Sequence, residues 1–263
     1  MIGYNHLGRN GRLGNQMFQY AALKGIAEKH EYEWCIPPSD FRVEPKAGEE
    51  KDHQLFDAFK LESVKEVKVL GAPYIQEKGF NFDQELFDNC EDNINLYGFF
   101  QSEKYFSHIE DEIKKDFTFK DEIVKPCKEM FSFGTEAISL HIRRGDYLGK
   151  QDYHPICSME YYEEALSKLN ADIPVVIFSD DVRWCKAQEI FESDRFLVSE
   201  SNSNVVDLCL MTMCDYHIVA NSSFSWWGAW LSNSKRVIAP KNWFGDKAEL
   251  DDSDLVPERW ERI

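Results

Sequence analysis

Between residues 137 and 239 the chain alternates short apolar runs with amphipathic stretches, and this alternation constrains the fold more than any other feature. Runs at 137–142 and 173–179 suit buried strands, and the stretch at 159–169 has the spacing of a helix. Strands that alternate with helices pair in parallel, because each helix returns the chain across the sheet. The sequence therefore predicts a parallel, doubly wound α/β sheet here.

The rest of the chain predicts a second lobe. Its 263 residues, 43% of them hydrophobic, suffice for two cores of ordinary size. Residues 94–102 have the pattern of a strand that meets a helix, whereas residues 37–60 form an irregular, polar excursion. We expect an N-terminal lobe at 1–131 and a C-terminal lobe at 132–263.

Charge and composition exclude several classes of protein. A net charge of −17 opposes nonspecific attraction to nucleic acid or to an anionic membrane. There is no run of eighteen apolar residues and no signal-peptide core, so we expect a cytoplasmic protein that is at most peripheral to the inner membrane. Seven scattered cysteines without a CxxC pair favour reduced thiols over a disulfide framework or a zinc site.

The run at 137–142 ends abruptly in charged residues. Because side chains alternate along a strand, His141 and Arg143 share a face and would emerge together at its carboxyl end. Open α/β sheets bind ligands at that end, and the guanidinium groups of Arg143 and Arg144 suit a phosphate. This interpretation requires a local basic pocket. The alternative is a solvent-exposed strand end with Arg144 and Asp146 as a surface ion pair.

Polar groups also follow two later strands. Asp180 and Asp181 suit the donors of a guanine edge or the hydroxyls of a ribose, although either is an equally good cap for the next helix. Residues 221–225 open a helix with serines and free backbone amides, which favour a phosphate, although the serines are also good caps. Together with the arginines, these strand ends describe a pocket for a nucleoside diphosphate.

Three other patterns are less specific. The glycine-rich turn at 8–16 precedes a helical stripe and allows close ligand approach, but it matches neither a Walker loop nor the dinucleotide fingerprint. The tryptophans at 226, 227 and 230 predict core packing rather than a sugar platform. The only DxD sequence, at 252–254, is interpreted as solvated charge rather than a metal site.

Five blocks of the chain resemble the α-1,2-fucosyltransferases of glycosyltransferase family 11. They fall in the family's order and span most of the chain. The blocks are GRLGNQMFQYA at 11–21, GFFQSEKYF at 98–106, HIRRGDY at 141–147, FSDD at 178–181 and NSSFSWWGAWL at 221–231.

The resemblance implies a GT-B-like fold of two Rossmann-like lobes, with GDP-β-L-fucose held mainly by the C-terminal lobe and the acceptor sugar entering between the lobes. It implies inverting transfer of L-fucose to the 2-hydroxyl of a terminal galactose, in bacterial surface-glycan or oligosaccharide synthesis. No metal and no other cofactor is expected. The alternatives are a different acceptor, another GDP-sugar, or a catalytically silent sugar-binding protein.

The resemblance also implies roles for particular residues. Those expected to contact the donor are His141, Arg143 and Arg144 at the diphosphate, Asp180 or Asp181 at the nucleoside, Ser222, Ser223 and Ser225 beside the phosphate, and Gly14 and Asn15 near the phosphate and sugar. For catalysis we expect Arg143 to offset the charge of the departing diphosphate, and Asn15 to act near the phosphate and sugar of the donor. Asp146 is the candidate base, and its alternative role is to brace an arginine.

Overall fold

Two parallel sheets organise the computed structural model, which describes residues 1–39, 54–61, 64–131, 134–201 and 203–263. Each sheet belongs to its own compact unit. Unit 1 comprises Met1–Lys120 with Leu250–Pro257, and unit 2 comprises Asp121–Glu249 with Glu258–Ile263. Most of the irregular excursion expected at 37–60 lies outside the described residues.

Unit 1 is built from short strands around one long helix. Its elements are β1 (Ile2–Gly3), α1 (Leu13–His30), β2 (Trp34–Cys35), α2 (Leu55–Ala58), β3 (Tyr74–Gln76), α3 (Gln84–Asn89), β4 (Asn95–Tyr97), 3₁₀ turns at Glu103–Tyr105 and Ser107–Ile109, and α4 (Glu110–Asp116). The strands are parallel in the order β2-β1-β4-β3. The order reverses between β1 and β4, and the carboxyl ends of this central pair are where such sheets place ligands.

Unit 2 continues the alternation of strand and helix. Its elements are α5 (Asp121–Met130), β5 (Ile138–Ile142), a 3₁₀ turn at Gly145–Gly149, α6 (Met159–Ser167), β6 (Val175–Ser179), α7 (Val182–Lys186), a 3₁₀ turn at Glu189–Phe191, β7 (Phe196–Val198), α8 (Asn204–Met211), β8 (Tyr216–Ile218), α9 (Ser223–Leu231), β9 (Arg236–Ala239), a 3₁₀ turn at Asp246–Ala248 and β10 (Glu261–Arg262).

The sheet of unit 2 is wholly parallel, with the strand order β10-β9-β8-β5-β6-β7. This confirms the predicted doubly wound sheet. The order reverses between β5 and β8, which makes their carboxyl ends the topological switch point. Ile138, Leu140 and Ile142 of β5 are fully buried and pack with Tyr162 and Ala165 of α6, so apolar packing fixes the position of this strand.

The division between the units differs from the predicted boundary after residue 131. Helix α5 packs on α8 and therefore belongs to unit 2, which moves the division to Lys120 and Asp121. The segment Leu250–Pro257 returns to unit 1 through Asp254, which pairs with Lys104 and accepts a 3.1 Å hydrogen bond from the Phe82 amide. The chain therefore passes between the units three times.

The aromatic block of α9 is core, as predicted. Trp226 and Trp227 are fully buried, and Trp230 is nearly so. Trp226 also packs against Trp260, with ring centroids 5.4 Å apart, just before β10. All seven cysteines lie in the described residues and are free thiols. Among the described helices, none combines the length and the apolar character needed to cross a membrane.

Candidate functional site

The residues singled out from the sequence lie in two groups, each at the carboxyl edge of one sheet. The first group follows β5, β6 and β8 of unit 2 and contains His141, Arg143, Arg144, Asp146, Asp180, Asp181, Ser222, Ser223 and Ser225. The second lies at the start of α1 in unit 1 and contains Gly14 and Asn15.

His141 links β5 to the first turn of α9 across the switch point. Its Nδ1 lies 2.8 Å from Ser225 Oγ, and both side chains are buried. Burial, aided by the charge of Arg143, lowers the pKa of His141 to about 3. The imidazole is therefore neutral near pH 7. His141 therefore adds no positive charge at the expected diphosphate site, and the sequence pattern does not reveal the burial that causes this.

Arg143 emerges from the end of β5 between two carboxylates. Its Nη1 lies 2.9 Å from Asp180 Oδ2, and its Nη2 donates to Asp146 Oδ1. The guanidinium carbon is 5.3 Å from the centre of the Tyr147 ring, and 17% of the side chain is exposed. Arg143 is thus held in one orientation by groups from its own loop and from the neighbouring strand.

Arg144 forms a second link between the ends of β5 and β6. Its Nε donates to Asp181 Oδ2 at 3.1 Å, and its guanidinium carbon lies 4.0 Å from the centre of the Trp184 ring. Asp181 also caps α7, because its Oδ1 accepts the Trp184 amide at 3.1 Å. The capping alternative is therefore confirmed for Asp181. The alternative of a surface ion pair between Arg144 and Asp146 is wrong, because Arg144 pairs with Asp181 after the neighbouring strand.

Asp180 is fixed by the backbone of the loop after β5. Its Oδ1 accepts the amides of Arg144 at 2.9 Å and Gly145 at 3.2 Å. A Cβ atom at Gly145 would lie 2.4 Å from Asp180 Oδ2, so only glycine permits this approach. The close contact brings the carboxylate within reach of Arg143.

The charges of this cluster cancel. Three cations, Arg143, Arg144 and Lys150, are paired with the three carboxylates Asp146, Asp180 and Asp181. The expectation of a locally basic pocket is therefore wrong. The residues that directly follow the paired strands β5 and β6 lie close together, and here they carry opposite charges. The sequence of either segment alone does not show this pairing.

The charge environment of Asp146 bears on its candidate role as a base. Partial burial raises its pKa, but Arg143 and Lys150 outweigh this effect, and the pKa lies below the ordinary aspartate value. A carboxylate with a lowered pKa is a weaker base. The geometry favours the bracing alternative for Asp146.

The loop before α9 is held from several sides. Asn221 is buried, and its Nδ2 donates to the carbonyls of Pro155 at 2.8 Å and Trp243 at 3.0 Å. Ser222 accepts the Phe224 amide at 3.4 Å and is the N-cap of α9, as its alternative interpretation predicted. The first turn of α9, including Ser223, therefore begins at a fixed point beside His141.

In unit 1, the glycine-rich turn packs against Asn15. Gly11 has φ +92°, and a Cβ atom there would lie 2.1 Å from Asn15 Nδ2. Asn15 Oδ1 accepts a 2.8 Å hydrogen bond from Gln101 Nε2. Glycine at position 11 is thus required both by its backbone conformation and by the close approach of this carboxamide.

The blocks at 11–21 and 98–106 meet at the switch point of this sheet. Tyr4 accepts the Gly98 amide at 3.1 Å and donates to the Gly98 carbonyl. Gln19 Nε2 donates to the carbonyls of Asn10 at 2.9 Å and Gly98 at 3.3 Å. Neither Gln19 nor Gln101 has a predicted role from the sequence, although both lie in the family-like blocks. The signal for Gln101 is that it is the first polar residue after the apolar run that contains β4, four residues beyond the end of the strand.

The interpretation of residues 252–254 as solvated charge is wrong for Asp254, which is 20% exposed and bound to Lys104 and to the Phe82 amide. No group of three or more His, Cys, Asp or Glu side chains within the described ranges is arranged to hold a metal ion. Independence from metal stays a prediction about the reaction.

The fold of the chain is GT-B-like, as in two solved fucosyltransferase structures. Fucosyltransferase NodZ from Bradyrhizobium matches with a TM-score of 0.58 over 90% of this chain and 94% of that chain, at 15% identity. POFUT1 in complex with GDP-fucose matches with a TM-score of 0.51 over 89% and 94%, at 13% identity. At such identities the likeness shows the fold, which agrees with the expected one.

The model of glycosyl transferase family 11 matches residues 1–263, and the chain belongs to this family. It is 33% identical to an alpha-1,2-colitosyltransferase of Escherichia coli over 96% of each chain. It is 26% identical to the O-antigen biosynthesis glycosyltransferase WbnK of Escherichia coli, over 95% of this chain and 97% of WbnK. Human galactoside alpha-(1,2)-fucosyltransferase 1 is 24% identical, over 87% and 65%. The family resemblance is confirmed.

Proposed function

We propose that the protein is an inverting glycosyltransferase that moves a 6-deoxy-L-hexose from its GDP derivative to the 2-hydroxyl of a terminal galactose, with GDP-β-L-fucose as the donor. Two relatives named for α-1,2 transfer support the linkage. A third, named for O-antigen biosynthesis, supports a role in glycan assembly. The solved structures with the same fold include complexes with GDP and GDP-fucose, which support a GDP-linked donor.

The observation that carries the proposal is the position of Arg143, His141 and the start of α9 at the switch point of the second sheet. Parallel α/β sheets bind nucleotides at this point. A guanidinium and the free amides of a helix start are the two groups that proteins commonly place against phosphate oxygens. Few ligands that lack a phosphate would use both the guanidinium and the helix start.

The pairing of Arg143 with two carboxylates determines what a diphosphate must replace when the donor binds. A partly buried guanidinium without a counter-charge is costly, and Asp146 and Asp180 meet that need in the free protein. Asp180 is tied to two backbone amides, whereas Asp146 is 42% exposed. We therefore assign Asp146 as the partner that the diphosphate replaces at Arg143, while Asp180 keeps the guanidinium in place.

The reaction needs charge stabilisation at the leaving group. The bond between the sugar C1 and the β-phosphate oxygen breaks, and its electron pair remains on GDP. The acceptor oxygen forms the new bond from the opposite face, and its proton passes to solvent water. Arg143, oriented by Asp180, would stabilise the developing negative charge, a contribution typically worth roughly 3–4 kcal/mol of barrier.

A second donor has a specific observation in its favour. The 33% identical relative is named an alpha-1,2-colitosyltransferase, and colitose is L-fucose without its 3-hydroxyl. The two donors therefore differ by one hydroxyl group. A site that hydrogen-bonds this hydroxyl strongly rejects the deoxy sugar, whereas an apolar site discriminates little between them. The ratio of kcat/KM for the two donors decides which one the protein uses.

The test is transfer to a β-galactoside with GDP-fucose or GDP-colitose, followed by linkage analysis of the product. We expect an α-1,2-linked product with at least one donor. Calorimetry with GDP runs in parallel. GDP binding without transfer to any of a panel of galactosides would refute the proposed reaction and leave a different acceptor, another GDP-sugar or a silent binding protein. Absence of both binding and transfer would refute the proposal.

A further inference from the structure

A buried carboxylate that the family-like blocks do not include lies behind the Gly98–Gln101 turn of unit 1. Glu77 directly follows β3 and is 6% exposed. Its Oε2 accepts the amides of Phe99 at 2.9 Å and Phe100 at 2.8 Å. Its Oε1 accepts the Tyr105 hydroxyl at 3.1 Å. Such a group is costly to bury, and three donors offset that cost.

The turn that Glu77 holds has an unusual backbone. Phe100 has φ +53°, a conformation that bulky residues rarely adopt and that persists only when its surroundings impose it. Gly98 approaches so closely that a Cβ atom there would lie 2.7 Å from both Glu77 Cβ and Oε2. The two amide hydrogen bonds and this close packing together fix the path of the turn.

The next residue along the turn reaches the candidate site. Gln101 is 7% exposed, and its Nε2 donates to Asn15 Oδ1 at 2.8 Å. Asn15 Nδ2 in turn faces Gly11 of the glycine-rich turn. The orientation of the Asn15 carboxamide therefore depends on where Gln101 is placed, and the placement of Gln101 depends on the turn that Glu77 holds.

We infer that Glu77 is a positioning residue for glycosyl transfer: it fixes the Gly98–Gln101 turn so that Gln101 sets the orientation of the Asn15 carboxamide. The inference deepens the proposed function and rests on it for the role of Asn15 in transfer. Glu77 itself has no contact with the donor in this scheme, since it is buried and the three hydrogen bonds that it accepts come from the turn and from Tyr105.

The first experiment measures the turn without reference to activity. Hydrogen exchange of the amides of Phe99 and Phe100 is compared in the wild-type protein, Glu77→Ala and Glu77→Gln. We expect exchange at least tenfold faster in Glu77→Ala and near wild-type exchange in Glu77→Gln, because glutamine retains an oxygen that accepts both amides. Unchanged protection in Glu77→Ala would overturn the inference, whether or not the protein transfers sugar.

The second experiment measures transfer with the donor and acceptor that the wild-type protein uses. We expect Glu77→Ala and Gln101→Ala each to lower kcat at least tenfold, Glu77→Gln to stay within threefold of wild type, and GDP affinity to change less than twofold. Because both residues act through Asn15, the double variant should be no slower than the slower single variant. Additive losses would overturn the inference.

A matched control separates positioning from stability. Asp116 is another buried carboxylate of unit 1, bonded to Tyr20 at 2.9 Å and Lys24 at 2.7 Å, between α1 and α4. We expect Asp116→Asn to lower the melting temperature while kcat and the exchange of Phe99 and Phe100 stay as in wild type. If Asp116→Asn lowers kcat as Glu77→Ala does, the effect at Glu77 is general destabilisation and the inference fails.

Discussion

Asp180 and Arg143 face each other at 2.9 Å across the ends of two paired strands, β6 and β5. Ile142 pairs with Ser179 in the sheet, so Arg143 and Asp180 are the next residues along the same register. The sheet register itself therefore brings the carboxylate to the guanidinium. This relationship orients the one cation on which the proposed chemistry depends.

The first prediction concerns Arg143. We expect Arg143→Ala to reduce kcat/KM by roughly 10²- to 10³-fold, because the leaving diphosphate loses its charge-assisted donors. The melting temperature should change little, since Asp180 keeps two backbone amides as partners and Asp146 keeps Lys150. Initial rates and thermal melts measure both quantities. Wild-type turnover in this variant would contradict the role.

The second prediction separates the two roles of Asp146. If it braces Arg143 and yields to the diphosphate, Asp146→Asn should tighten GDP binding and keep transfer within tenfold of wild type. We expect this result, because Arg143 and Lys150 lower the pKa of Asp146. Removing a true general base would instead cost roughly 10²- to 10⁴-fold in rate. Calorimetry and initial rates decide between the two.

The third prediction is a pH dependence of stability that originates at Glu77. Burial raises its pKa from 4.5 to about 7, with Asp83 adding to the rise and three hydrogen bonds opposing it. The contribution of the protonated Glu77 carboxyl to the free energy of unfolding is fully present below about pH 4.5. It is lost as the pH rises through 7, and the total loss is about 3 kcal/mol.

Glu77→Gln removes this titration while keeping the shape of the side chain. We expect the free energy of unfolding of wild type to fall relative to that of Glu77→Gln between pH 5 and 8, by roughly 2–3 kcal/mol. Urea denaturation of both proteins across this range measures the difference. A constant difference would show that the Glu77 carboxyl does not titrate there.

The fourth prediction concerns the bond between His141 and Ser225. Ser225→Ala leaves a buried imidazole nitrogen without its 2.8 Å partner, so the free energy of unfolding should fall by about 1–3 kcal/mol. Ser167→Ala is the control, because that exposed hydroxyl bonds only to the Glu164 carbonyl near the end of α6. If urea denaturation shows that both substitutions lower the free energy of unfolding equally, the buried His141–Ser225 hydrogen bond does not stabilise the protein as expected.

The fifth prediction concerns metal. We expect transfer to persist in excess EDTA, because Arg143 supplies positive charge at the leaving group. Rates with EDTA, and after addition of manganese or magnesium, measure this. A lasting requirement for a divalent cation would refute the metal-free mechanism.

The sequence predicted the C-terminal sheet well for a physical reason. The run at 137–142 and the later strand segments of unit 2 are apolar and bounded by polar residues. Only a buried parallel sheet explains this pattern over such a length. The ends of such strands follow from the same pattern, so Arg143 and Ser225 could be identified before the fold was known. The short strands of unit 1, such as β1 with two residues, leave a much weaker pattern.

Other features depend on tertiary contacts that no local pattern contains. The pairing of Arg144 with Asp181 follows from the register of β5 and β6, and the neutrality of His141 follows from its burial. Glu77 lies in a polar stretch and looks solvated in the sequence, yet the turn after β4 folds over it. The predicted boundary after residue 131 places helix α5 in the N-terminal lobe. It lies in unit 2 because it packs on α8, a long-range contact that no local pattern shows.

The interleaved path of the chain decides how the protein can be dissected. A recombinant fragment that ends at Glu249 would lack Trp260 and β10, so Trp226 would lose an aromatic neighbour and β9 would present an open edge prone to association. A version in which a short flexible linker replaces 250–257 would retain both. Of these two versions, only the one with the linker retains every segment of unit 2, so it is the version to use for nucleotide-binding studies.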